Sequence, residues 1–386
     1  LAVGGHMKGA VALTVGREVV VSQRLGDLDT RPSRQNMEAT VESLSGLFRF
    51  RPRFVACDLH PDYASTAYAR SRGLPLREIQ HHEAHVFSAM LDAGLEPPVL
   101  GVSWDGTGFG PDGTVWGGEF FAVTGEGCRR VARLRPFRLP GGEAAVREPR
   151  RAALGLLHAL DPALLRAGLA SVDSFSEAER RVLVRMLDQG LRSPWTSSAG
   201  RLFDAVSALV GLRQRNLFEG QAAMELEGCL EGEPLVGDPL LPDLVGEDPF
   251  EVDWGPALRA LLEGLEVGRS PRELSEAFHL AMAGAVEAVA TRVGLEQVVL
   301  TGGCFQNSAL TQATVARLRK AGFQPAWHRA VPPNDGGLAA GQAYAAACEA
   351  AVARADWPGG GGGGRRGAGG GGGAGGGGGG RGCGGG

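Results

Sequence analysis

The sequence lacks closely spaced cysteine pairs. Its six cysteines are scattered along the chain at Cys57, Cys128, Cys229, Cys304, Cys348 and Cys383. A cysteine zinc knuckle requires pairs such as C-x-x-C, and a disulfide framework requires an ordered set of spacings in a small secreted chain. The pattern argues against both, and we expect the cysteines to be mostly small core residues.

Long apolar runs and an excess of positive charge are also missing. No run approaches the ~20 apolar residues of a membrane-spanning helix, and the N-terminus has no basic-then-apolar signal pattern. The formal net charge is -4, so there is no surplus of cations for contacts with nucleic acid or an anionic membrane. We expect a cytoplasmic protein that binds proteins or small anions, without nucleic acid or membrane partners.

Both ends of the sequence are unusual. From Pro358 onward the chain is almost entirely glycine, which supplies too little apolar surface for a core, and we predict a disordered glycine-rich tail over residues 356–386. The chain begins at Leu1 rather than Met, with a strand-like Leu1–Val3 running directly into glycines. We therefore also expect a fragment of a polypeptide that starts further upstream.

Strand and helix patterns alternate between these ends. Apolar runs at residues 1–3, 10–15 and 19–21, broken by glycines, predict a strand and a hairpin, and a similar pattern restarts near residue 98. Residues 150–290 have mostly helical patterns, with a Pro- and Gly-rich surface excursion expected over 231–256. Two units that begin alike indicate a duplicated α/β fold, so we predict lobes over 1–96 and 97–355 with a ligand cleft between them.

The sharpest local signal is a histidine cluster. His81 and His85 lie four positions apart, and on a helix this spacing places both imidazoles on one face, as a divalent metal requires from two nitrogen ligands. An isolated H-x-x-x-H is about as often a polar helix start with exposed histidines. Here three of the eight histidines fall within five residues, which favours a metal site.

Two aspartates are candidates to complete that site. A two-histidine site usually recruits a carboxylate, and Asp105 and Asp335 both lie in glycine-bordered turns from which a side chain can project into a cleft. We expect Asp105 to end a buried strand and to open the turn. Asp335 taken alone is more typical of a helix N-cap. Considered together with His81 and His85, both aspartates are favoured as metal ligands.

Glycine-rich turns recur along the chain at residues 4–5, 105–110, 140–142, 219–220 and 302–303. Without side-chain bulk, backbone N–H groups there can approach phosphate oxygens. None of the turns has the Walker or the dinucleotide-binding spacing, so neither a P-loop nor a Rossmann enzyme is supported. Phosphate loops divided between two lobes instead favour a two-lobed actin-like ATPase fold, the duplicated ribonuclease-H-like architecture, with a nucleotide cleft between the lobes.

In their order, these motifs resemble the C-terminal domain of the hydrogenase-maturation carbamoyltransferases, the HypF family, which is itself similar to the universal tRNA threonylcarbamoyl transferases. The resemblance runs from Leu1 to about Ala351. It is carried by residues 2–5, 22–28, 58–61, 80–85, 104–110, 116–119, 140–149, 197–204, 218–225, 302–307 and 332–337. One position departs from the family pattern: Glu83 stands where these enzymes often have another histidine.

The resemblance implies a catalytic metal centre and a nucleotide site. Matching residues in the family hold iron or zinc, which assigns His81, His85, Asp105 and Asp335 as metal ligands here. ATP or carbamoyl adenylate is the implied nucleotide, with magnesium as a further expected companion. The implied nucleotide contacts are Gly106 and Gly108 at phosphate, Asp204 at the ribose, and Gly220, Gly302, Gly303 and Asn307 around adenosine.

The family's reaction implies a role for the chain. Carbamoyl phosphate and ATP give carbamoyl adenylate in an upstream domain, and the matching domain passes the carbamoyl group to the C-terminal cysteine of an acceptor protein during nickel–iron hydrogenase maturation. We expect only this transfer half here, because the sequence contains no acylphosphatase-like, zinc-finger or adenylate-forming part. The nucleophile belongs to the acceptor, so Cys304 is expected to be a packing residue.

Two alternatives stay open. One is an O-carbamoyltransferase of small-molecule biosynthesis, which would use a hydroxyl acceptor. The other is a truncated nucleotide-binding fragment without activity, as a first residue other than Met and the glycine tail suggest. A tRNA-modifying role is disfavoured because the motifs at 22–28 and 140–149 belong to the hydrogenase family and the chain lacks a basic surface signature.

Overall fold

The computed structural model describes residues 1–166, 168–235 and 237–352, so the predicted tail over 356–386 lies outside the described residues. The helices are α1 Arg31–Leu47, α2 Ala64–Ser71, α3 His81–Ala93, α4 Glu143–Arg147, α5 Pro149–Leu160, α6 Ala170–Asp173, α7 Glu177–Gln189, α8 Ala199–Leu209, α9 Gln221–Gly228, α10 Gly255–Glu266, α11 Pro271–Val293, α12 Ser308–Lys320 and α13 Leu338–Val352. The strands are β1 Ala12–Val15, β2 Glu18–Val21, β3 Val55–Asp58, β4 Leu76–Ile79, β5 Val99–Phe109, β6 Val115–Thr124, β7 Gly127–Leu134, β8 Phe137–Arg138, β9 Trp195–Thr196, β10 Asp243–Val245, β11 Phe250–Asp253, β12 Gln297–Thr301 and β13 Gln324–Trp327.

The N-terminal part forms a small mixed sheet. β1 and β2 form an antiparallel hairpin, and β3 pairs with β4 in parallel. Ala2 joins the two pairs, because it bridges to Ala12 on one side and to Ala56 on the other. Met37 and Val41 of α1 pack against this sheet in one apolar cluster. The strand, hairpin and helix predicted for the first part of the chain are therefore present.

A nine-stranded sheet forms the larger part. Its main path runs β10-β11-β7-β6-β5-β12-β13, with β8 and β9 attached beside β6. β5 and β6 are buried along nearly their whole length, as expected when helices cover both faces of a sheet. α5, α8 and α11 contribute to the apolar cluster on one face, and α3 packs on the other.

Two helices, α3 and α13, lie between the sheets. α13 packs against the small sheet through a cluster made mostly of alanines, which includes Ala339 and Ala343. On its other side α13 meets α3 so closely that a Cβ on Gly341 would lie 1.7 Å from the carbonyl oxygen of Ala84. Small residues permit this approach, and it places the N-terminal end of α3 between the two halves of the molecule.

The architecture confirms the predicted two-lobed, actin-like α/β fold. One detail of the sequence interpretation was wrong: the segment 231–256 contains two strands instead of only a surface excursion. β11 pairs in parallel with β7, and Phe250 and Val252 are each 1% exposed. Burial of these apolar side chains stabilises the segment as two further strands at one end of the sheet. The boundary at residues 96 and 97 stays a prediction. No helix in the described part of the chain is long and apolar enough to cross a membrane.

Candidate functional site

His81 and His85 occupy the first two turns of α3. Gln80 caps this helix, and its side-chain oxygen accepts hydrogen bonds from the backbone N–H groups of His82 and Glu83. Helical spacing then sets the His81 and His85 rings 5.0 Å apart between centroids. Both side chains are buried, so neither is the exposed histidine of a polar helix start.

Asp105 lies opposite the histidines on β5. Its Oδ2 is 3.1 Å from Nε2 of His85 and 3.6 Å from Nε2 of His81. The sequence interpretation placed Asp105 at a strand end, but β5 continues to Phe109 with a register irregularity after Trp104. Such bulges re-aim side chains within a sheet, which explains how a residue inside a strand reaches the site.

Asp335 approaches from the turn before α13. Its Oδ1 lies 3.8 Å from Nε2 of His81 and 3.9 Å from Nε2 of His85. The capping role that Asp335 could have taken belongs to its neighbour, because the Asn334 side chain accepts the N–H of Gly336. Asp335 is therefore left to face the cluster.

These four side chains fit a metal ion. One ligand atom from each lies within 4.8 Å of all the others, and bonds of ~2.0–2.2 Å to a common ion would place ligands at about these separations. Nε2 of His81 is buried and has no hydrogen-bond partner. Two imidazoles with two carboxylates suit iron or zinc.

The buried charges of the cluster change the pKa values of His81, Asp105 and Asp335. Burial lowers the pKa of His81, but the nearby carboxylates of Asp105 and Asp58, the second of which accepts a hydrogen bond from Nδ1, outweigh this effect and raise that pKa well above its usual value. Burial raises the pKa of Asp335, with a further contribution from the negative charge of Asp105. For Asp105, burial is outweighed by the two histidines, which hold its pKa well below the usual range.

Sequence reasoning missed one part of this cluster. Oδ2 of Asp58 lies 2.8 Å from Nδ1 of His81, and Asp58 is fully buried at the end of β3. A carboxylate behind a ligating histidine orients its ring and raises its basicity. Asp58 lies in the motif at 58–61 that carries the family resemblance, but no role was predicted for it.

A cavity of about 460 Å³ lies beside the cluster, where Lys8 of the N-terminal part faces residues of the larger part. Of the positions predicted to contact nucleotide, it is lined by Gly106, Asp204, Gly220, Gly303 and Asn307. It is also lined by Asp105, Arg201, Lys8 and Glu219, of which the last three were not predicted. Five predicted contacts that are remote in sequence therefore meet at one cavity.

Two of the predicted glycines, Gly108 and Gly302, are not among the residues that line this cavity. A Cβ on Gly108 would lie 2.2 Å from Cε1 of the buried His82 ring. Gly302 has a φ of +94°, and a Cβ there would lie 2.2 Å from the carbonyl oxygen of Trp104. Both glycines thus lie at close packing contacts, and their predicted contacts with nucleotide stay predictions.

Buried polar partners fix the positions of Asp204 and Asn307. Oδ2 of Asp204 lies 3.1 Å from Nη2 of Arg201, and both side chains are almost fully buried. Burial raises the pKa of Asp204, although the Arg201 charge opposes this. The Asn307 amide lies 2.9 Å from Nε2 of the buried His279, and its oxygen accepts the N–H of Leu310 at the start of α12.

Fold and site define a class: a two-lobed, actin-like α/β protein with a cavity between its lobes and a buried cluster of two histidines and two aspartates beside it. Residues 1–92 match the family described as "HypF Kae1-like domain". Residues 101–342 match "Carbamoyltransferase, Kae1-like Domain, second subdomain". The chain belongs to the HypF carbamoyltransferase family and represents its Kae1-like region.

Individual relatives support this membership. Carbamoyltransferase HypF of Synechocystis is 39% identical over 361 residues, which cover 89% of this chain and 46% of the relative. A HypF homolog of Cupriavidus necator is 36% identical over 370 residues, covering 92% of this chain and 93% of that protein. The crystal structure of full-length HypF in its phosphate- and nucleotide-bound form superimposes with a TM-score of 0.85 at 35% identity, covering 92% of this chain and 47% of that one. The chain thus spans about half the length of the HypF proteins that it matches, with the Cupriavidus homolog as an exception.

Proposed function

We propose that this chain passes a carbamoyl group from carbamoyl adenylate to the C-terminal cysteine of an acceptor protein during nickel–iron hydrogenase maturation in the cytoplasm. The observation that carries the proposal is the convergence of His81, His85, Asp105 and Asp335 beside an interlobe cavity in a member of the HypF family. These four side chains would hold iron or zinc.

The cavity supports a nucleotide as the bound group. Its volume of about 460 Å³ falls within the ~300–1,000 Å³ that is usual for small-molecule sites. Asp204, Gly220 and Asn307 line it and are proposed to contact ribose and adenosine, while Gly106 and Gly303 are placed near Asp105, where phosphate would meet the metal cluster. The related full-length HypF was crystallised with phosphate and nucleotide, which favours the same ligand class here.

The proposed reaction is acyl transfer to sulfur. The acceptor's sulfur attacks the carbamoyl carbon, the new S–C bond forms, the C–O bond to the phosphate breaks, and AMP leaves while the thiol proton passes to solvent. A divalent ion at the four ligands would supply a Lewis-acidic centre for phosphate or carbonyl oxygen. The chain's residues bury the ligands and hold them: Asp58 orients His81, and Ser198 Oγ lies 2.8 Å from the carbonyl oxygens of Asp105 and Gly106.

Binding measurements test the site. Calorimetry of the purified chain should show saturable binding of zinc or ferrous iron and of ATP. The double variant His81→Ala, His85→Ala should lose the metal, whereas His158→Ala should retain it, because His158 is remote from the cluster and pairs with Asp188. Unchanged metal content in the double variant would refute the metal centre, and absence of ATP binding would refute the nucleotide site.

Product analysis tests the transfer. The chain, loaded with metal and supplied with carbamoyl adenylate, should add one carbamoyl group to a peptide that ends in cysteine, as measured by mass spectrometry. A matched peptide ending in serine should remain unmodified. Carbamoylation of a sugar or nucleoside hydroxyl instead would favour the O-carbamoyltransferase alternative. ATP binding without any product would favour the inactive nucleotide-binding fragment.

A further inference from the structure

Lys8 is an unusual residue in this chain. It is one of only two lysines, with Lys320, and arginine supplies every other basic position. The two cations are chemically different, because lysine ends in a compact ammonium with three donors, whereas arginine carries a planar fork. Lys8 also lies in the loop before β1, next to Gly9, and its side chain lines the interlobe cavity.

The backbone at Lys8 is constrained. Its φ is +49°, in the left-handed region that few residues other than glycine adopt. Two hydrogen bonds to the neighbouring segment stabilise this conformation. The N–H of Lys8 donates to Oδ1 of Asp27 at 2.7 Å, and the N–H of Gly9 donates to the carbonyl oxygen of Gly26 at 2.8 Å. Uncommon backbone conformations that the surroundings enforce occur preferentially at ligand-binding positions.

The constrained loop directs the Lys8 side chain across the cavity. Its Nζ lies 2.9 Å from both carboxylate oxygens of Glu219, which precedes α9 in the other half of the molecule. The Lys8 side chain is 20% exposed, but that of Glu219 is 56% exposed. Glu219 can therefore return to water at little cost, while Lys8 would remain inside the cavity.

Lys8 is also placed to meet an anion. Of the described residues lining the cavity, the other cation is Arg201, which is already paired with the buried Asp204. A second cavity, of about 310 Å³, shares Lys8 and Asn334 with the first. Burial lowers the pKa of Lys8, but the hydrogen bond and charge of Glu219 more than offset this, so the pKa is raised and the ammonium stays charged.

We propose that Lys8 is the phosphate-binding cation of the interlobe cavity and that Glu219 occupies its place until a phosphate displaces that carboxylate. The inference rests on the proposed function, because the displacing phosphate is that of the nucleotide. The Lys8–Glu219 pair then joins the lobes in the free protein, and phosphate replaces Glu219 as the partner of Lys8 when the nucleotide binds.

The scarcity of lysine provides a direct test. The full chain is treated with a lysine-selective acetylating ester, with and without ATP, adenosine or inorganic phosphate, and the acetylation rates of Lys8 and Lys320 are read by peptide mass spectrometry. Lys320 is exposed at the end of α12 and serves as an internal control. ATP and phosphate should slow acetylation of Lys8 and leave Lys320 unchanged, whereas adenosine should protect neither.

The outcomes separate this inference from the proposed function. ATP binding by calorimetry without protection of Lys8 would overturn the inference and leave the nucleotide site standing. Protection by inorganic phosphate without ATP binding would support the phosphate contact of Lys8 and refute the nucleotide site. If neither ligand protects Lys8 and neither binds, both are refuted.

Two variants distinguish ligand binding from a merely structural pair. Lys8→Gln should weaken ATP binding roughly 10- to 100-fold, because a charged hydrogen bond to phosphate is lost. Glu219→Gln should instead tighten it by about 2- to 5-fold, because the competing carboxylate of an exposed ion pair is removed. A structural pair would make both variants less stable to heat, with no opposite effects on ATP affinity, and that result would overturn the inference.

Discussion

Asp58 and His81 form a buried carboxylate–imidazole pair, with 2.8 Å between Oδ2 and Nδ1. Each side chain is 1% exposed. In the neutral tautomer that donates its Nδ1 proton to Asp58, Nε2 carries the lone pair that a metal would take, and that atom faces Asp105 and Asp335. The pair joins the end of β3 in the small sheet to the first residue of α3, so the position of one metal-ligand candidate depends on packing between two parts of the chain.

Substitution of Asp58 should weaken metal binding. Asp58→Asn preserves the size of the side chain but removes the charge behind His81, so we expect metal affinity to fall roughly 10- to 100-fold. Competition between the protein and a chelator for zinc measures this change. Asp62→Asn is the matched control, because Asp62 lies in the same loop and is exposed. Equal zinc affinity in Asp58→Asn and the unmodified chain would contradict an orienting role.

Two glycine-to-alanine substitutions in helices should have opposite consequences. In Gly341→Ala the new methyl would collide with the backbone of α3, and such overpacking typically costs about 1–3 kcal/mol of unfolding free energy. Gly46 in α1 has open space around it, so Gly46→Ala should leave stability unchanged or raise it by up to about 1 kcal/mol. Urea unfolding measures both, and equal stability of the two variants would show that α3 and α13 are not closely packed.

The stability of the protein should depend on His279 below neutral pH. Burial lowers the pKa of His279 to about 4, so between that value and the unfolded value of about 6.5 the unfolded chain binds more protons. Unfolding free energy should therefore fall as the pH drops through this window, by up to about 3 kcal/mol in total from this group. Protonation of His279 at Nε2 would also place its N–H against the Asn307 NH2 group, which is 2.9 Å away.

The variant His279→Gln should flatten that part of the profile of unfolding free energy against pH. Denaturant unfolding at a series of pH values provides the measurement. His158→Gln, at a surface histidine paired with Asp188, should retain the slope of the unmodified chain. An unaltered slope in His279→Gln would assign the pH dependence to other groups.

Asp204 should prove necessary for both stability and nucleotide binding. Asp204→Ala leaves the buried Arg201 charge without its partner, and such a loss costs about 3–5 kcal/mol. The double variant Arg201→Met, Asp204→Leu should recover most of this stability in thermal unfolding, because neither charge remains. We expect the double variant to bind ATP more weakly, as a ribose contact by Asp204 requires. Full ATP affinity in that variant would refute the ribose contact.

Features with a local physical origin could be predicted from the sequence. The i, i+4 spacing of His81 and His85 places them on one helix face wherever the helix lies, because the helical repeat is intrinsic to the backbone. Strands and helices also have their own backbone repeats, so their alternating patterns along the chain indicated the two-lobed α/β fold. The strand that contains Phe250 and Val252 was missed. It is short and forms by pairing with β7, which is distant in sequence, so no local pattern predicts it.

The type of most elements, the pairing of the two histidines and a set of candidate ligands for a metal or a nucleotide therefore follow from local sequence patterns. Which of these residues meet depends on the tertiary fold. It brought Asp105 and Asp335 to the histidines, placed Asp58 behind one of them, and set Gly108 and Gly302 against neighbouring atoms rather than at the cavity. Distances between separate elements follow from how helices and sheets pack, and packing depends on the whole chain rather than on any one segment.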